Sequence, residues 1–211
     1  MSSGLDDSSK GITFFQWMIL GTLTLTSTLY AMSMTIANIA LPQLQGALGA
    51  TQDQIAWTVT FNIIGTAIVT PMTGWLTLRF GQRRLMLCAI FGFATSSILC
   101  GQATALPELV IYRVFQGAFG GPLVPLSQAI ILGVFPRRLH SFATAVWGMG
   151  VVCGPIIGPT VGGYISEAYS WRWVFYIIAP FSLLAFLGAW FYVRNTTHNK
   201  LSKLDWTGFI S

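Results

Sequence analysis

Six long runs of apolar residues dominate the chain, and short polar segments separate them. The runs cover residues 15–41, 54–77, 85–106, 109–133, 142–165 and 173–193. Each run reaches or exceeds the roughly 20 residues that an α-helix needs to cross the hydrocarbon core of a bilayer. The runs are continuous rather than alternating, which excludes a transmembrane β-barrel. The pattern therefore predicts an all-α integral membrane protein with six transmembrane helices.

Charged residues are scarce along the whole chain. Of its 211 residues, 54% are apolar and only 8% are charged, whereas soluble globular domains carry roughly 25% charged residues. A soluble protein of this size could not cover its surface with so few charges. The composition therefore agrees with the apolar runs and excludes a soluble fold.

The basic residues lie in alternate connections. Nine of the eleven are in the two tails and in the second and fourth connections: Lys10, Arg79, Arg83, Arg84, Arg137, Arg138, Arg194, Lys200 and Lys203. The first, third and fifth connections carry only Arg172. This positive-inside pattern predicts a cytoplasmic tail (1–13), two cytoplasmic loops (78–84 and 134–141) and a cytoplasmic linker (194–203). It places both termini in the cytoplasm, and it accounts for the net charge of +5 without a nucleic-acid partner.

The six predicted spans divide into two groups of three at the short outer turn 101–108. The second and fifth spans end in similar segments, GWL at residues 74–76 and GYI at residues 163–165. Because three spans are an odd number, the second group must be turned over relative to the first. We therefore expect two inverted three-helix repeats, an arrangement found in several secondary-transporter folds.

Residues 204–211 (LDWTGFIS) follow the basic linker and read as the opening of another apolar run. Trp206 has the position of an interfacial anchor. We therefore expect these residues to be the start of a truncated seventh span, so that the six helices are the N-terminal half of a longer protein.

Glycine recurs at every fourth residue of the fifth predicted span, at Gly150, Gly154, Gly158 and Gly162. In a soluble helix each interior glycine would cost roughly 1 kcal/mol, and each of Pro155 and Pro159 about 3 kcal/mol. In a bilayer the helix persists, the prolines bend it, and the glycines let a neighbouring backbone approach closely. We expect this glycine ladder to pack at the seam between two halves that rock against each other. Packing with a purely structural role is the alternative.

Arg113 is the only basic residue well inside a predicted span. An isolated arginine in lipid costs at least about 2.5–3.5 kcal/mol, so its side chain is expected to face the protein interior or an aqueous cavity. Gln116 lies one turn further on the same face, and Asn38, near the outer end of the first span, is the expected partner. The functional interpretation is a cavity-facing cation. The alternatives are an arginine that reaches the outer interface or one that only braces helix packing.

The connection between the second and third spans contains two glycines and three arginines. We expect Gly74 and Gly81 to permit a tight turn, and Arg79 and Arg83 to clasp carboxylates or helix C-terminal carbonyls on the cytoplasmic side. The simpler interpretation is that these arginines serve only as topology charges.

Residues for enzyme chemistry are missing from the apolar runs. Both histidines, His140 and His198, lie outside the spans, so an intramembrane serine protease lacks its base, and no HExxH motif is present. None of the six acidic residues falls in the middle of a span. We therefore predict no catalytic residues, no metal site and no cofactor.

Local patterns together resemble the major facilitator superfamily, specifically its fourteen-span drug:proton antiporter branch. The segment TIANIALP (35–42) is similar to the end of that branch's first helix, and GWLTLRFGQRR (74–84) to its first cytoplasmic loop. YRVFQG (112–117) matches an R-x-x-Q-G element, and GPIIGPTVGG (154–163), which ends at Gly163, is similar to the antiporter motif. SWRWVFYI (170–177) follows as in that branch. The order, spacing and topology of these segments make the resemblance specific.

The resemblance implies efflux of lipophilic compounds by proton antiport, with alternating access around a cavity between this bundle and a second, C-terminal one. It also implies an inner-membrane location, with a periplasmic adaptor and an outer-membrane channel as partners in a tripartite system. A channel or a non-transporting, half-size assembly subunit that is inactive alone is the alternative.

Two positions depart from the family pattern. Leu78 replaces the usual acid of the cytoplasmic loop, and Ser33 stands where many relatives carry an acid in the first span; we group Ser33 with the cavity residues. Proton coupling normally requires a protonatable group at membrane depth. Either that group lies in the second half, or this protein does not couple as its relatives do.

Overall fold

The structure, a computed structural model, describes residues 12–194. Most of the predicted tail (1–13) and linker (194–203), and all of the predicted seventh span (204–211), lie outside the described residues. Within them the chain forms only helices: α1 (Phe14–Leu48), α2 (Gln52–Phe80), α3 (Gln82–Gln102), α4 (Leu106–Gly120), α5 (Leu123–Val134), α6 (His140–Ala168), α7 (Trp171–Tyr176), α8 (Ile178–Tyr192) and a 3-10 turn (Arg137–Leu139).

Six helical segments in this range are long and apolar enough to cross a membrane. Helices α4 and α5 together form the fourth, and α7 and α8 together form the sixth. Each segment contains most of one predicted apolar run, so the prediction of six membrane-spanning helices is confirmed. Helices extend past the runs because a helix can continue into the interface once it has left hydrocarbon.

The connections are shorter than the sequence pattern predicted. The predicted loop 78–84 is largely helical, because α2 continues to Phe80 and α3 begins at Gln82. Gly81 alone separates them, with a φ of 84° that only glycine adopts easily. The predicted span 85–106 is helical only to Gln102, because α4 starts at Leu106 with Pro107 in its first turn.

Two of the six segments are interrupted. The fourth breaks at Gly121 and Pro122, where proline has no N–H to donate to the carbonyl four residues earlier. The sixth breaks at Ile177, three residues before Pro180, whose ring removes the bond to the Tyr176 carbonyl in the same way. Apolar periodicity predicted continuous helices at both places.

The glycine ladder of α6 packs on α1. A Cβ atom added to each successive glycine of the ladder would contact the next turn of α1. On Gly154 it would lie 2.6 Å from the Thr28 carbonyl oxygen, and on Gly158 it would lie 2.6 Å from Thr35 Oγ1. Gly150 faces Thr24 and Gly162 faces Ile36. The contacts advance in the same direction along both helices, so α1 and α6 run parallel. The predicted close approach of two backbones is confirmed.

The partner predicted for the ladder was wrong. We expected it at the seam between two halves, but Gly154, Gly158 and Gly162 are buried inside this bundle. The opposite face of α6 is exposed instead, as Val152 and Ile156 show with 61% and 67% of their surface accessible. Sequence spacing identifies a smooth helix face, but the rotation of the helix in the bundle decides which neighbour it meets.

A second close pair joins α2 to α4. Three side chains of α2 donate to backbone carbonyl oxygens of the fourth segment. Asn62 donates to Arg113 at 2.8 Å, Thr66 to Gly117 at 3.2 Å and Thr70 to Gly121 at 3.4 Å. A Cβ on Gly117 would collide with the Asn62 carbonyl oxygen. The two helices are therefore also parallel and in backbone contact.

These two pairs are related by the inverted repeat. The repeat relates span one to span four and span two to span five. The pair of spans one and five (α1 with α6) is therefore equivalent to the pair of spans four and two (α4 with α2). Spans three and six map onto each other, and α3 indeed packs on both α7 and α8. The packing thus confirms two inverted three-helix repeats.

We predict that Gly154→Ala destabilises the bundle by about 1–3 kcal/mol, because the new methyl group would press on the α1 backbone. Gly148→Ala is the matched control in the same helix, since a Cβ there has no neighbour within 4 Å. Thermal unfolding of the purified variants in detergent measures the difference. Equal midpoints for the two variants would contradict the close packing of Gly154 on α1.

Candidate functional site

Arg113 lies at the centre of a buried polar cluster in the half of the bundle near the start of α4. Only 1% of its surface is accessible. Its Nε donates to the Thr58 carbonyl oxygen at 3.2 Å, and its Nη1 donates to Gln116 Oε1. The guanidinium carbon lies 5.7 Å from the centre of the Phe175 ring, within cation–π range.

Gln116 connects Arg113 to α3. Its Nε2 donates to Ser97 Oγ at 2.7 Å, and that hydroxyl donates in turn to the Phe93 carbonyl oxygen at 2.9 Å. Gln116 and Ser97 are both 0% accessible. The chain of donors therefore ends on a helix carbonyl without contact with solvent.

Asn62 secures the backbone of the site. Its amide nitrogen donates to the Arg113 carbonyl oxygen at 2.8 Å, while its Oδ1 is buried without a hydrogen-bond partner. A buried acceptor without a partner costs about 1–3 kcal/mol. Asn62 shares this property with atoms of Thr24, Arg83, Ser127 and Ser182 in the described range, so the unsatisfied acceptor does not by itself mark a functional site.

No carboxylate balances the charge of Arg113 within residues 12–194. The acids in that range, Asp53, Glu108 and Glu167, lie in the first or last turns of α2, α4 and α6. Carbonyl and amide dipoles and an aromatic ring stabilise the cation instead. Since arginine stays protonated in proteins, the site creates a positive potential but does not itself release a proton.

Of the four predicted cavity residues, three are buried inside the bundle and face no cavity in this structure, since Arg113, Gln116 and Ser33 are 1%, 0% and 2% accessible. Arg113 and Gln116 lie on one face of α4 as their spacing predicted, and they are hydrogen-bonded to each other. Ser33 is 2% accessible and donates to the Tyr30 carbonyl oxygen at 2.7 Å. The predicted pairing of Asn38 with Arg113 is wrong, because α1 turns the Asn38 side chain to the exposed surface and Asn62 supplies the amide at the site.

The arginines near the connection between α2 and α3 differ in their contacts. Arg83 Nη2 donates to the Trp190 carbonyl oxygen in the last turn of α8 at 2.7 Å, which is the predicted clasp of a helix C-terminus. Arg79 instead lies over the Trp75 ring at 5.5 Å. Gly74 is inside α2 and forms no turn, so that prediction was wrong, whereas Gly81 does separate two helices.

The sequence pattern did not identify four members of this site, namely Asn62, Thr58, Ser97 and Phe175. Asn62 carried a usable signal, since it is the only amide side chain in the middle of the second apolar run. Thr58 contributes a backbone carbonyl, which side-chain identity does not reveal. Ser97 and Phe175 belong to residue types that fill membrane helices throughout this chain.

A family model described as Major Facilitator Superfamily matches residues 23–208. The Multidrug export protein EmrB of Haemophilus influenzae is 44% identical over 168 residues, which cover 80% of this chain and 33% of the relative. EmrB of Escherichia coli is 41% identical over 165 residues, covering 78% and 32%. The Fatty acid resistance protein FarB of Neisseria gonorrhoeae is 37% identical over 184 residues, covering 87% and 36%. The chain thus spans about a third of the length of the curated relatives it matches.

Solved structures with the same fold are also transporters. A partially occluded, inward-open form of the xylose transporter XylE from Escherichia coli aligns with a TM-score of 0.77 at 19% identity, over 86% of this chain and 50% of that one. A bacterial homologue of the human lysosomal transporter Spinster, inward-facing and occupied, aligns with a TM-score of 0.76 at 19% identity, over 90% and 47%. At this identity the likeness establishes the fold alone.

We predict that Ser97→Ala costs about 1–3 kcal/mol of stability, because it leaves the Gln116 amide buried without an acceptor. Ser96→Ala is the matched control, since Ser96 Oγ bonds only the Gly92 carbonyl oxygen of its own helix. Thermal unfolding of both variants in detergent gives the comparison. A smaller loss for Ser97→Ala than for Ser96→Ala would show that the Gln116 bond contributes nothing.

Proposed function

The chain belongs to the Major Facilitator Superfamily, a family of transporters, and on that premise we propose that it forms one six-helix half of a secondary transporter that exports lipophilic compounds. Transport proceeds by alternating access, as this bundle and a second one rock around a cavity between them. The names of two relatives, a multidrug export protein and a fatty acid resistance protein, support apolar molecules as the substrates.

The observation that carries this proposal is Arg113, a cation buried without a carboxylate in the described part of the chain. A charge at membrane depth is expensive and typically marks a substrate or ion pathway. Leucine or methionine would fill the same space at lower cost if the position served only packing. Arg113 contacts α2 and α7 directly and α3 through Gln116, so the site is connected to three other helical segments.

The exposed faces of α2 and α6 support a second bundle. These two helices are the least buried of the six spans, with 22% of the most apolar window buried in each. They are also equivalent under the inverted repeat. Large apolar side chains, such as Trp57 and Ile156, project from them with 49% and 67% of their surface accessible. We assign these faces to contact with the second bundle.

We propose that proton antiport drives export. The carboxylate that binds the proton then lies outside residues 12–194. The acids within that range lie at helix ends. Arg113 contributes the fixed positive potential, which favours the deprotonated form of an acid that approaches it. A periplasmic adaptor and an outer-membrane channel, as implied by the resemblance to tripartite pumps, complete the path to the exterior.

A chimera tests the function. The segment of Escherichia coli EmrB that matches this chain is replaced by the corresponding part of this chain and expressed in an efflux-deficient strain. We expect the chimera to lower the accumulation of lipophilic antibiotics or of a long-chain fatty acid. The 211-residue chain expressed alone is the comparison, and activity there would identify a half-size transporter. A chimera that reaches the membrane at normal levels and exports none of these compounds overturns the proposal.

We predict that Arg113→Ala abolishes efflux by this chimera, because the cluster loses its only cation. Arg113→Lys is the companion variant; it keeps the charge but cannot reproduce both hydrogen bonds, so partial activity is expected. Accumulation assays are normalised to the amount of protein in the membrane. Undiminished efflux by Arg113→Ala would remove Arg113 from the mechanism.

The orientation of the spans is proposed from the basic residues, with both termini in the cytoplasm. We predict that alkaline phosphatase is inactive when fused after Arg138 and active when fused after Thr104, because the enzyme works only outside the cytoplasm. A green fluorescent protein fused to the C-terminus should fluoresce. The reverse pattern would invert the topology.

A further inference from the structure

Arg172 is the one basic residue in the outer connections, so the positive-inside rule does not account for it. It is the second residue of α7. Its Nη1 donates to the Gly101 carbonyl oxygen at 2.7 Å, and its guanidinium lies 4.6 Å from the centre of the Trp171 ring. A cation at a position that topology disfavours is expected to have a structural or functional reason.

The contact joins the outer end of α3 to α7. Gly101 lies in the last turn of α3, where carbonyls lack helical partners and the negative end of the helix dipole attracts a cation. The helices also touch directly, since a Cβ on Gly101 would lie 2.5 Å from the Tyr176 ring. We call this contact of Gly101 with Arg172 and Tyr176 the α3–α7 junction.

The junction is one helical turn from the Arg113 site on both of its helices. On α3, Ser97 precedes Gly101 by four residues and therefore shares its face; on α7, Phe175 follows Arg172 by three. Ser97 accepts the hydrogen bond of Gln116, and Phe175 lies over Arg113. These two residues supply the contacts that α3 and α7 make with the Arg113–Gln116 pair.

Arg83 makes the same kind of contact at the other end of the third and sixth spans, where it joins α3 to α8. It is the second residue of α3, it donates to the Trp190 carbonyl oxygen at 2.7 Å, and it lies 5.5 Å from the centre of the Trp190 ring. The inverted repeat exchanges α3 with the sixth span, so Arg83 and Arg172 are equivalent. About 27 Å of helix separates Arg83 from Gly101 at 1.5 Å per residue.

We propose that Arg172 is a positioning residue for the Arg113 site. By holding the Gly101 carbonyl, it fixes α3 against α7 and keeps Ser97 and Phe175 in contact with Gln116 and Arg113. Arg83, with equal chemistry at the opposite membrane face, fastens the helix pair without contacting that site. The effect of Arg172 on transport rests on the proposed function, whereas its effect on the junction does not.

Cys100 is a natural reporter for the junction. It precedes Gly101 in α3 and is 0% accessible, while Cys88 and Cys153 are exposed. In the 211-residue chain with Cys88→Ala and Cys153→Ala, the rate at which a charged maleimide labels Cys100 in membranes measures opening of the junction. Loss of the Arg172 contact should raise that rate about tenfold, since local opening becomes correspondingly less costly.

The matched variants are Arg172→Ala and Arg83→Ala. We expect faster Cys100 labelling in the first and a rate within about twofold of the parent in the second, because opening is local to each end. Gly101→Ala leaves Arg172 in place but displaces Tyr176, so it should also raise the rate. Arg172→Lys should restore slow labelling in part. Unchanged labelling in Arg172→Ala, or an equal rise in Arg83→Ala, overturns the proposal.

Transport provides a separate readout in the EmrB chimera. We expect the double variant Arg172→Ala/Ser97→Ala to show a smaller fold-loss of efflux than the product of the two single fold-losses. The reason is that both substitutions loosen the same contact. Arg83→Ala and Ser97→Ala should combine independently. Independent effects of Arg172→Ala and Ser97→Ala argue against positioning. If the parent chimera exports nothing, the proposed function is wrong. The labelling experiment still tests whether Arg172 holds the α3–α7 junction closed.

Discussion

Hydrocarbon offers no hydrogen-bond partner, so most polar groups of this bundle find one inside the protein, and Asn62 Oδ1 is an exception. The backbone does so by forming helices throughout the described range. Side chains do so locally or across a helix contact. In α1, the hydroxyls of Thr22, Thr26 and Thr28 donate to carbonyls one turn earlier, whereas Asn62 in α2 reaches a carbonyl of α4. The same requirement explains why helix ends attract arginines, since the last carbonyls of a helix have no partner within it.

The inverted repeat organises these solutions in pairs. Glycines bring α6 onto α1 and the fourth span onto α2, and both pairs are parallel. Arg83 and Arg172 each hold the last turn of a helix in the opposite repeat, one at each end of the bundle. Close backbone contact at two crossings, together with fastened ends, suits a unit that moves as a rigid body in the proposed alternating access.

Arg113 lies where these contacts converge. Its backbone is held by α2, its side chain by α2 and Gln116, and its aromatic neighbour comes from α7. A cation in this position cannot shed its charge, so it acts through its field. The bundle therefore supplies a fixed positive potential, and in the proposed cycle the proton-carrying group lies outside residues 12–194.

The sequence by itself determined the six spans, the inverted order of the repeats, the smooth face of the fifth span and the need to bury Arg113, because length, periodicity and the cost of charge in lipid are read along one chain. It did not determine the partners. Asn62 rather than Asn38 serves Arg113, the ladder meets α1 rather than a seam, and Arg172 fastens α3. Each of these contacts joins residues that lie 50 or more positions apart. Only the rotation and depth of each helix in the folded bundle decide which faces meet.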